Sequence, residues 1–249
     1  VAENSEKVEA RGPKAEAPGP EQPDSRLPAG RHGLPPEFVV QNQRERIITA
    51  LVDTVAERGY KATTVADITN AASVSRRTFY EHFSDKEECF LAAYEMISTH
   101  IFDSMRAATE VFDDWPQKMK AALATTLRFL SAEPEVARVY AFEPVAAGGE
   151  IAARHTASMQ GLIEILASGR PGRPGDHPLP EVTEETLVGG VHSLIIREII
   201  AGRTEHLEDL LPDLVELAAT PYIGAEEALK LARSGPPGSS DKHSEPATG

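Results

Sequence analysis

Residues Thr63 to Glu87 read TTVADITNAASVSRRTFYEHFSDKE, and the fold turns on this run. Thr64 precedes a short stretch with Val65 and Ile68 at helical spacing, Ser75 precedes a second stretch, and Ser84-Asp85-Lys86-Glu87 opens a third. Side-chain oxygens at such positions accept hydrogen bonds from the orphan amides of a helix's first turn. The spacing predicts one short helix from Thr64, whose hydroxyl caps the amides near Asp67, and another from Ser75 to about Phe83. A longer helix opens at Ser84 with a capping-box pattern and continues past Met105. Two short capped helices separated by three or four residues form a helix-turn-helix. With Ser75 as cap, the 100° step per residue brings Phe79 and Phe83 to one side, toward Val65, Ile68 and Val74. Arg77 and Glu81 fall opposite, flanked by Thr78 and Tyr80. A helix of about eight residues is about 12 Å long, comparable with the width of a DNA major groove.

Charge placement points the same way. Arg76 and Arg77 lie at a helix amino terminus, where a cation opposes the macrodipole at a cost of a few tenths of a kcal/mol, about 0.3 or more. Guanidinium forks match both phosphate and guanine, which accounts for two arginines where helix stability does not. Tyr80, His82 and Lys86 can donate to phosphates, and the helix starts at Thr64 and Ser84 offer backbone amides. Glu81 is expected to pair with Arg77, four residues back, or to accept from a cytosine amino group. Ser73 stands in the turn, where a left-handed serine costs about 1 to 2 kcal/mol.

Outward from this run, Pro35 and Pro36 precede Ile47, Ile48, Leu51, Val52 and Val55 on one helical face, and Gly59 closes that helix in the left-handed conformation. Downstream, helices are expected over Pro116 to Leu130, Pro134 to Phe142, Glu150 to Leu166, Thr183 to Ala201, His206 to Ala219 and Ala225 to Leu231. A loop is expected over Gly169 to Pro180, which is rich in Gly and Pro. The chain is 41% hydrophobic with 6% aromatic residues and lacks the β-branched runs that strands favour. The expected fold is therefore all-α: an amino-terminal three-helix helix-turn-helix domain joined by a long helix to a carboxy-terminal helical domain. Residues 1–36 and 234–249 are mixtures of Pro, Gly and polar side chains that offer no face to bury, and read as disordered tails. Between them, 37–100 form the DNA-binding unit and 101–233 the regulatory one.

The run from Ile47 through Phe90 closely resembles the DNA-binding domain of the tetracycline-repressor (TetR) family. The resemblance rests on Gly59-Tyr60, Thr63-Thr64-Val65-Ala66-Asp67-Ile68, Val74-Ser75, Thr78-Phe79-Tyr80-Glu81-His82-Phe83 and Lys86-Glu87. It implies a homodimer, double-stranded DNA with a palindromic operator as partner, and a small-molecule effector held in a helical cavity. It also implies that Thr64, Arg76, Arg77, Thr78, Tyr80, His82 and Lys86 face DNA. With Thr63 and Ser75, these make up the candidate site. The function implied is a repressor released from its operator by the effector. The alternatives are an activator or ligand-independent regulator of the same fold, or a helical interaction module that no longer reads DNA. The last is motivated by the net charge of −14, which opposes nonspecific attraction to nucleic acid.

Other chemistries find little support. The single cysteine, Cys89, follows Lys86-Glu87-Glu88 and reads as an ordinary helix-face residue in a reducing cytoplasm. The histidines at 100, 155, 177, 192 and 206 make no metal-ligand spacing, and no Gly-rich phosphate loop follows a strand. No catalytic role, cofactor or metal is expected. The apolar runs fall well short of the roughly 20 residues that cross a bilayer, and the amino terminus is charged, so a cytoplasmic protein without membrane contact is expected. Candidate cavity-lining residues are Tyr94, Phe102, Met105, Phe129, Tyr140, Phe142 and Met159. The expected dimer seam carries Leu187, Val191, Leu194, Ile195 and Ile199 on one helix and Leu207, Leu210, Leu211, Leu214 and Val215 on another. Arg26 and Arg31 of the tail are candidate minor-groove contacts.

Overall fold

A computed structural model describes residues 36–172 and 178–235. The expected tails, Arg26 and Arg31 among them, lie outside the described residues except for Pro36, Ser234 and Gly235. Helix α1 (Pro36–Arg58) buries Ile47, Ile48, Leu51, Val52 and Val55 along one stripe. It ends where Gly59 turns to φ +81° and donates its N–H to the Val55 carbonyl. Helix α2 (Val65–Ala72) is opened by a complete capping box in which the Thr64 hydroxyl accepts from the Asp67 amide and the Asp67 carboxylate accepts from the Thr64 amide. Helix α3 (Arg76–His82) starts at Ser75, whose hydroxyl accepts from the Thr78 amide. Phe79 and Phe83 are fully buried against α1 and α2. Each such ring is worth about 3 to 5 kcal/mol against alanine.

Helix α4 (Lys86–Thr109) is a 24-residue rod, about 36 Å long, that crosses residue 100 without interruption. Its cap is one residue later than expected. The Asp85 carboxylate accepts from the Glu88 amide, and Glu88 in turn accepts from the Ser84 amide. A carboxylate outcompetes the neighbouring hydroxyl for an amide near a helix's positive end. Helices α5 (Trp115–Ala132), α6 (Pro134–Ala137), α7 (Glu143–Ala147), α8 (Gly149–Ala167), α9 (Thr183–Ile200), α10 (Leu211–Ile223) and α11 (Ala225–Arg233) build the body. One buried cluster runs from Ile47 through Tyr94 and Leu127 to Leu214, so the head and body share a core. A second gathers Val215, Ala219 and Tyr222 with Met119 and Leu187. Beside it the Glu184 carboxylate, almost fully buried, accepts from the Arg170 guanidinium and the Tyr222 hydroxyl.

Several expectations are corrected. The helix expected over Pro134 to Phe142 carries a π-turn at Arg138–Phe142, in which the Glu143 amide reaches back five residues to the Arg138 carbonyl. Pro144 explains it: proline cannot donate to the Tyr140 carbonyl four residues back and its ring would strike it, so the helix widens there. The segment expected to start a helix at His206 is 3-10 over Thr204–Leu210, and the α-helix begins at Leu211, with Pro212 in its first turn. The helix passes through Pro221 and stops at Gly224, so Thr220 to Gly224 is a helix end and not a separate turn. Within the expected loop, Arg170–Gly172 make one 3-10 turn, and residues 173–177 lie outside the described residues. The expected dimer stripes are committed to the chain's own core: Leu187, Ile195, Ile199, Leu207, Leu214 and Val215 are buried within the single chain, while Val191, Leu194, Leu210 and Leu211 are half-buried. Among the described residues no helix is long and apolar enough to cross a membrane.

Candidate nucleic-acid interface and effector cavity

The turn between α2 and α3 sets the pose of α3. Ser73 adopts φ 52°, ψ 45°, the left-handed conformation. Its amide donates to Asn70, and the Val74 amide reaches back to Thr69 at 3.0 Å, which closes the helix end in a Schellman arrangement. The Arg46 guanidinium, from α1, donates to the Ala72 and Ser73 carbonyls and pins the turn from outside. Serine thus occupies the glycine-type position with the turn intact.

Of the candidate residues, Thr64, Ser75, Arg76, Arg77 and Tyr80 are solvent-exposed, and Thr78 and His82 are half-buried. Arg77 is 89% exposed and its Nε lies 2.9 Å from Glu81 Oε1, the i, i+4 pair expected from spacing. Arg76 has no hydrogen-bond or ion-pair partner among the described residues. Tyr80 stands edge-on to buried Phe79 with 56% of its surface free. Burial and the neighbouring Arg44 hold the His82 imidazole below its ordinary pKa, so at neutral pH it is an uncharged donor.

Thr63 and Lys86 depart from the expected set. Thr63 is 2% exposed, and its hydroxyl donates to the Gly59 carbonyl. Lys86 Nζ donates to the Tyr60 and Thr63 carbonyls, both at 2.7 Å, and lies 4.1 Å from the Tyr60 ring centroid. Its burial holds the amine pKa below the usual lysine value. Both side chains are spent holding the segment that leads into α2, so they position the interface without belonging to its surface. Sequence reading also missed Arg46 and Arg44, the latter stacked over Phe83 at 5.2 Å. Their one signal was two arginines flanking the start of the apolar stripe of α1. Cys89 is fully buried, and burial pushes its thiol pKa up to about 12, which leaves it inert.

The body carries a half-open cavity of about 380 Å³ between α4, α5, α8 and α9, a size typical of small-molecule sites. Its walls are largely carbon, with Phe102, Met105, Leu123, Leu127, Met159 and Ile195 prominent. Of the candidate lining residues, Phe102, Met105, Tyr140 and Met159 reach it, and Tyr94, Phe129 and Phe142 do not. Polar groups enter at two places. Arg106 and Lys118 stand where α4 meets α5, and Tyr140 and His192 stand on the π-turn and α9. His192 Nε2 lies 3.1 Å from the Ala141 carbonyl. Behind them Tyr94 and His155 are hydrogen-bonded at 3.0 Å, and burial drives the His155 pKa down to about 4. Among the described residues no cluster of His, Cys, Asp or Glu is placed to hold a metal ion.

These features define an all-helical protein in which a helix-turn-helix head is fused through one long helix to a hollow helical body. Residues 47–93 match the family described as bacterial regulatory proteins, tetR family. FasR of Mycolicibacterium smegmatis, an HTH-type transcriptional activator, is 27% identical over 110 residues, covering 44% of this chain and 50% of that protein. The uncharacterised HTH-type transcriptional regulator YxbF of Bacillus subtilis is 32% identical over 98 residues, covering 39% of this chain and 26% of that protein. The chain thus spans a quarter to a half of the length of these relatives. Among solved structures, the fatty acid degradation regulator FadR of Bacillus halodurans superposes with a TM-score of 0.63 at 22% identity, over 71% of this chain and 94% of that one. FadR of Bacillus subtilis, solved with stearoyl-CoA, has the same TM-score at 19% identity, over 71% and 98% of the two chains. At such identities the likeness is one of fold.

Proposed function

We propose that the protein is a homodimeric, cytoplasmic regulator that binds a palindromic DNA operator through α3 and is released from it by an apolar small-molecule effector held in the body. The observation that carries the DNA reading is the split of α3: Phe79 is buried while Arg76, Arg77 and Tyr80 are exposed. The contact set is Thr64, Ser75, Arg76, Arg77, Thr78, Tyr80 and His82, with Thr63 and Lys86 acting behind it. The exposed side of α9, with Glu185, Thr186, Gly189, Gly190 and Ser193, replaces the leucine stripes as the dimer seam, since the glycines let two helices approach closely.

The carbon-lined cavity suits an acyl chain, and Arg106 with Lys118 suits an anionic head group; FadR of Bacillus subtilis holds stearoyl-CoA in the same fold. A repressor of this design needs the effector to bind the DNA-incompetent state more tightly by several kcal/mol, about 3 to 5. The test is fluorescence anisotropy with DNA fragments recovered from the protein's own genome, with and without stearoyl-CoA. Arg76→Ala should weaken specific binding by about 1 to 3 kcal/mol, or about 5- to 150-fold, with the melting temperature unchanged. Retained affinity in the Arg76→Ala, Arg77→Ala double variant would instead favour the interaction-module reading. FasR is described as an activator, so transcript levels in a strain lacking the gene decide the sign: targets rise for a repressor and fall for an activator.

A further inference from the structure

Among the described residues, one hydrogen bond ties the segment between α1 and α2 to an element beyond α4. Glu143, 3% exposed and the first residue after the π-turn, accepts from the Tyr60 amide at 2.8 Å through Oε2. Its carboxylate also lies against Gly59, where a side-chain carbon would meet both oxygens at 3.7 Å. Arg138 Nε stands 3.4 Å from Oε1 and is otherwise buried without a hydrogen-bond partner, so this carboxylate is its one ion-pair partner among the described residues, beside the Phe142 ring 5.4 Å from the guanidinium.

What Glu143 grips is the segment that positions the interface. The Tyr60 carbonyl accepts from Lys86, the same ammonium holds the Thr63 carbonyl, and Thr64 next caps α2. The π-turn that delivers Glu143 also forms part of the cavity wall through Tyr140 and Ala141. Two residues separate Tyr140 on the cavity wall from Glu143, which holds the Tyr60 amide.

We infer that the π-turn and Glu143 form the latch through which cavity occupancy reaches the DNA-binding head. A ligand that displaces Tyr140 or Ala141 shifts the π-turn as a unit, withdraws the carboxylate from the Tyr60 amide and frees the Tyr60-to-Thr64 segment on which α2 and α3 are hung. Glu143 is a positioning residue in this scheme and touches neither DNA nor effector. The inference rests on the regulator reading above, and its test has an arm that needs neither DNA nor effector.

That arm is hydrogen–deuterium exchange of the Tyr60 amide in the full chain, in wild type, Glu143→Ala, Ala141→Val and the double variant. Ala141→Val adds bulk to the cavity wall and leaves Glu143 in place. Exchange should rise at least tenfold in Glu143→Ala and at least fivefold in Ala141→Val, with the double variant no faster than Glu143→Ala alone. An Ala141→Val rate within twofold of wild type, or independent increments that multiply in the double variant, overturns the latch. Tyr140→Leu serves the same purpose if Ala141→Val does not fold, with the same thresholds.

The second arm measures affinity for an operator fragment. Ala141→Val should weaken it at least fivefold in wild type and less than twofold in the Glu143→Ala background, whereas equal losses in both backgrounds overturn the coupling. If wild type binds no fragment, the DNA reading fails and the exchange arm alone decides the latch.

Discussion

Replacing Lys86 by methionine separates two roles that a lysine at a helix start can play. Methionine keeps the unbranched stem that packs on Tyr60 and removes the ammonium. In the structure that ammonium donates to two carbonyls at 2.7 Å and sits over an aromatic ring. A hydrogen bond to a charged group contributes about 1.5 to 3 kcal/mol net. The ring adds about 0.5 to 1 kcal/mol. The two bonds share one donor group and the side chain is only half-buried, so a loss of about 2 to 4 kcal/mol is expected rather than the full sum. For a chain of this size that lowers the melting temperature by about 5 to 15 °C. Thermal unfolding followed by circular dichroism reads the stability, and operator affinity measured between 50 and 200 mM salt reads the phosphate contacts. If Lys86 instead reached phosphate, the slope of log affinity against log salt would fall by about 0.9 per protomer. The clamp reasoning is refuted by a variant that melts within about 2 °C of wild type and loses that slope; it requires a large drop in melting temperature with the slope unchanged.

Three further outcomes follow from positions described above. Ser73→Gly should stabilise the protein by about 0.5 to 1 kcal/mol, the left-handed strain relieved less the added freedom of the unfolded chain, and a destabilised variant in urea unfolding would show that the serine is held by something other than the backbone bonds seen here. Gly169→Ala places a methyl within the van der Waals surface of the Trp115 indole, which lines the cavity and packs on Tyr222 at 4.5 Å; overpacking of this kind costs about 1 to 3 kcal/mol, and tryptophan fluorescence should shift as the ring is expelled, a wild-type spectrum and stability counting against the placement. His155 is held near a pKa of about 4 against 6.5 for the free side chain, so its stabilising neutrality is complete above pH 6.5 and is lost as pH falls from there toward 4. His192, lowered by burial as well, adds in the same direction. Urea midpoints should therefore decline between pH 6.5 and 5 in wild type and decline less in His155→Gln, and an equal decline in both would remove His155 from the account.

What the sequence made legible was local. Thr64 with Asp67, Ser75 with Thr78, and Gly59 at positive φ are decided by groups within four residues of each other, so a reading of caps and spacing reaches them. Arg77 with Glu81 is of the same kind. What it missed depends on distant partners. Lys86 looks like any exposed lysine at a helix start until residues 60 and 63 fold back to present their carbonyls, and Thr63 looks exposed until α1 covers it. The leucines of α9 and α10 have the spacing of a seam between subunits, but a helix stripe does not say whose core it fills, and here the chain's own neighbouring helices claim it. The cavity lay beyond the reach of spacing for a related reason, since lining residues and core residues are chemically the same and differ only in what fails to pack against them. Pro144 was the one visible sign of the π-turn, because it denies a donor to Tyr140.

The distribution of charge bears on the strongest compositional objection to DNA binding. Residues 101–233 hold twenty-one Asp and Glu against twelve Lys and Arg, whereas residues 37–100 hold ten against seven, so most of the negative surplus lies in the body. At about 0.1 M salt the Debye length is about 10 Å, and repulsion from the far parts of the body is largely screened while contact pairs are not. Of the seven cations in residues 37–100, Arg46, Arg58, Arg77 and Lys86 hold partners within the head and Arg44 covers Phe83. Only Arg76 and Lys61 have no such partner among the described residues. A head of this kind has few loose charges with which to bind arbitrary DNA, and its acidic body repels a duplex approaching from other directions at low salt. The acidic balance therefore acts against nonspecific binding more than against binding through α3, where Arg76, Arg77 and Tyr80 are exposed.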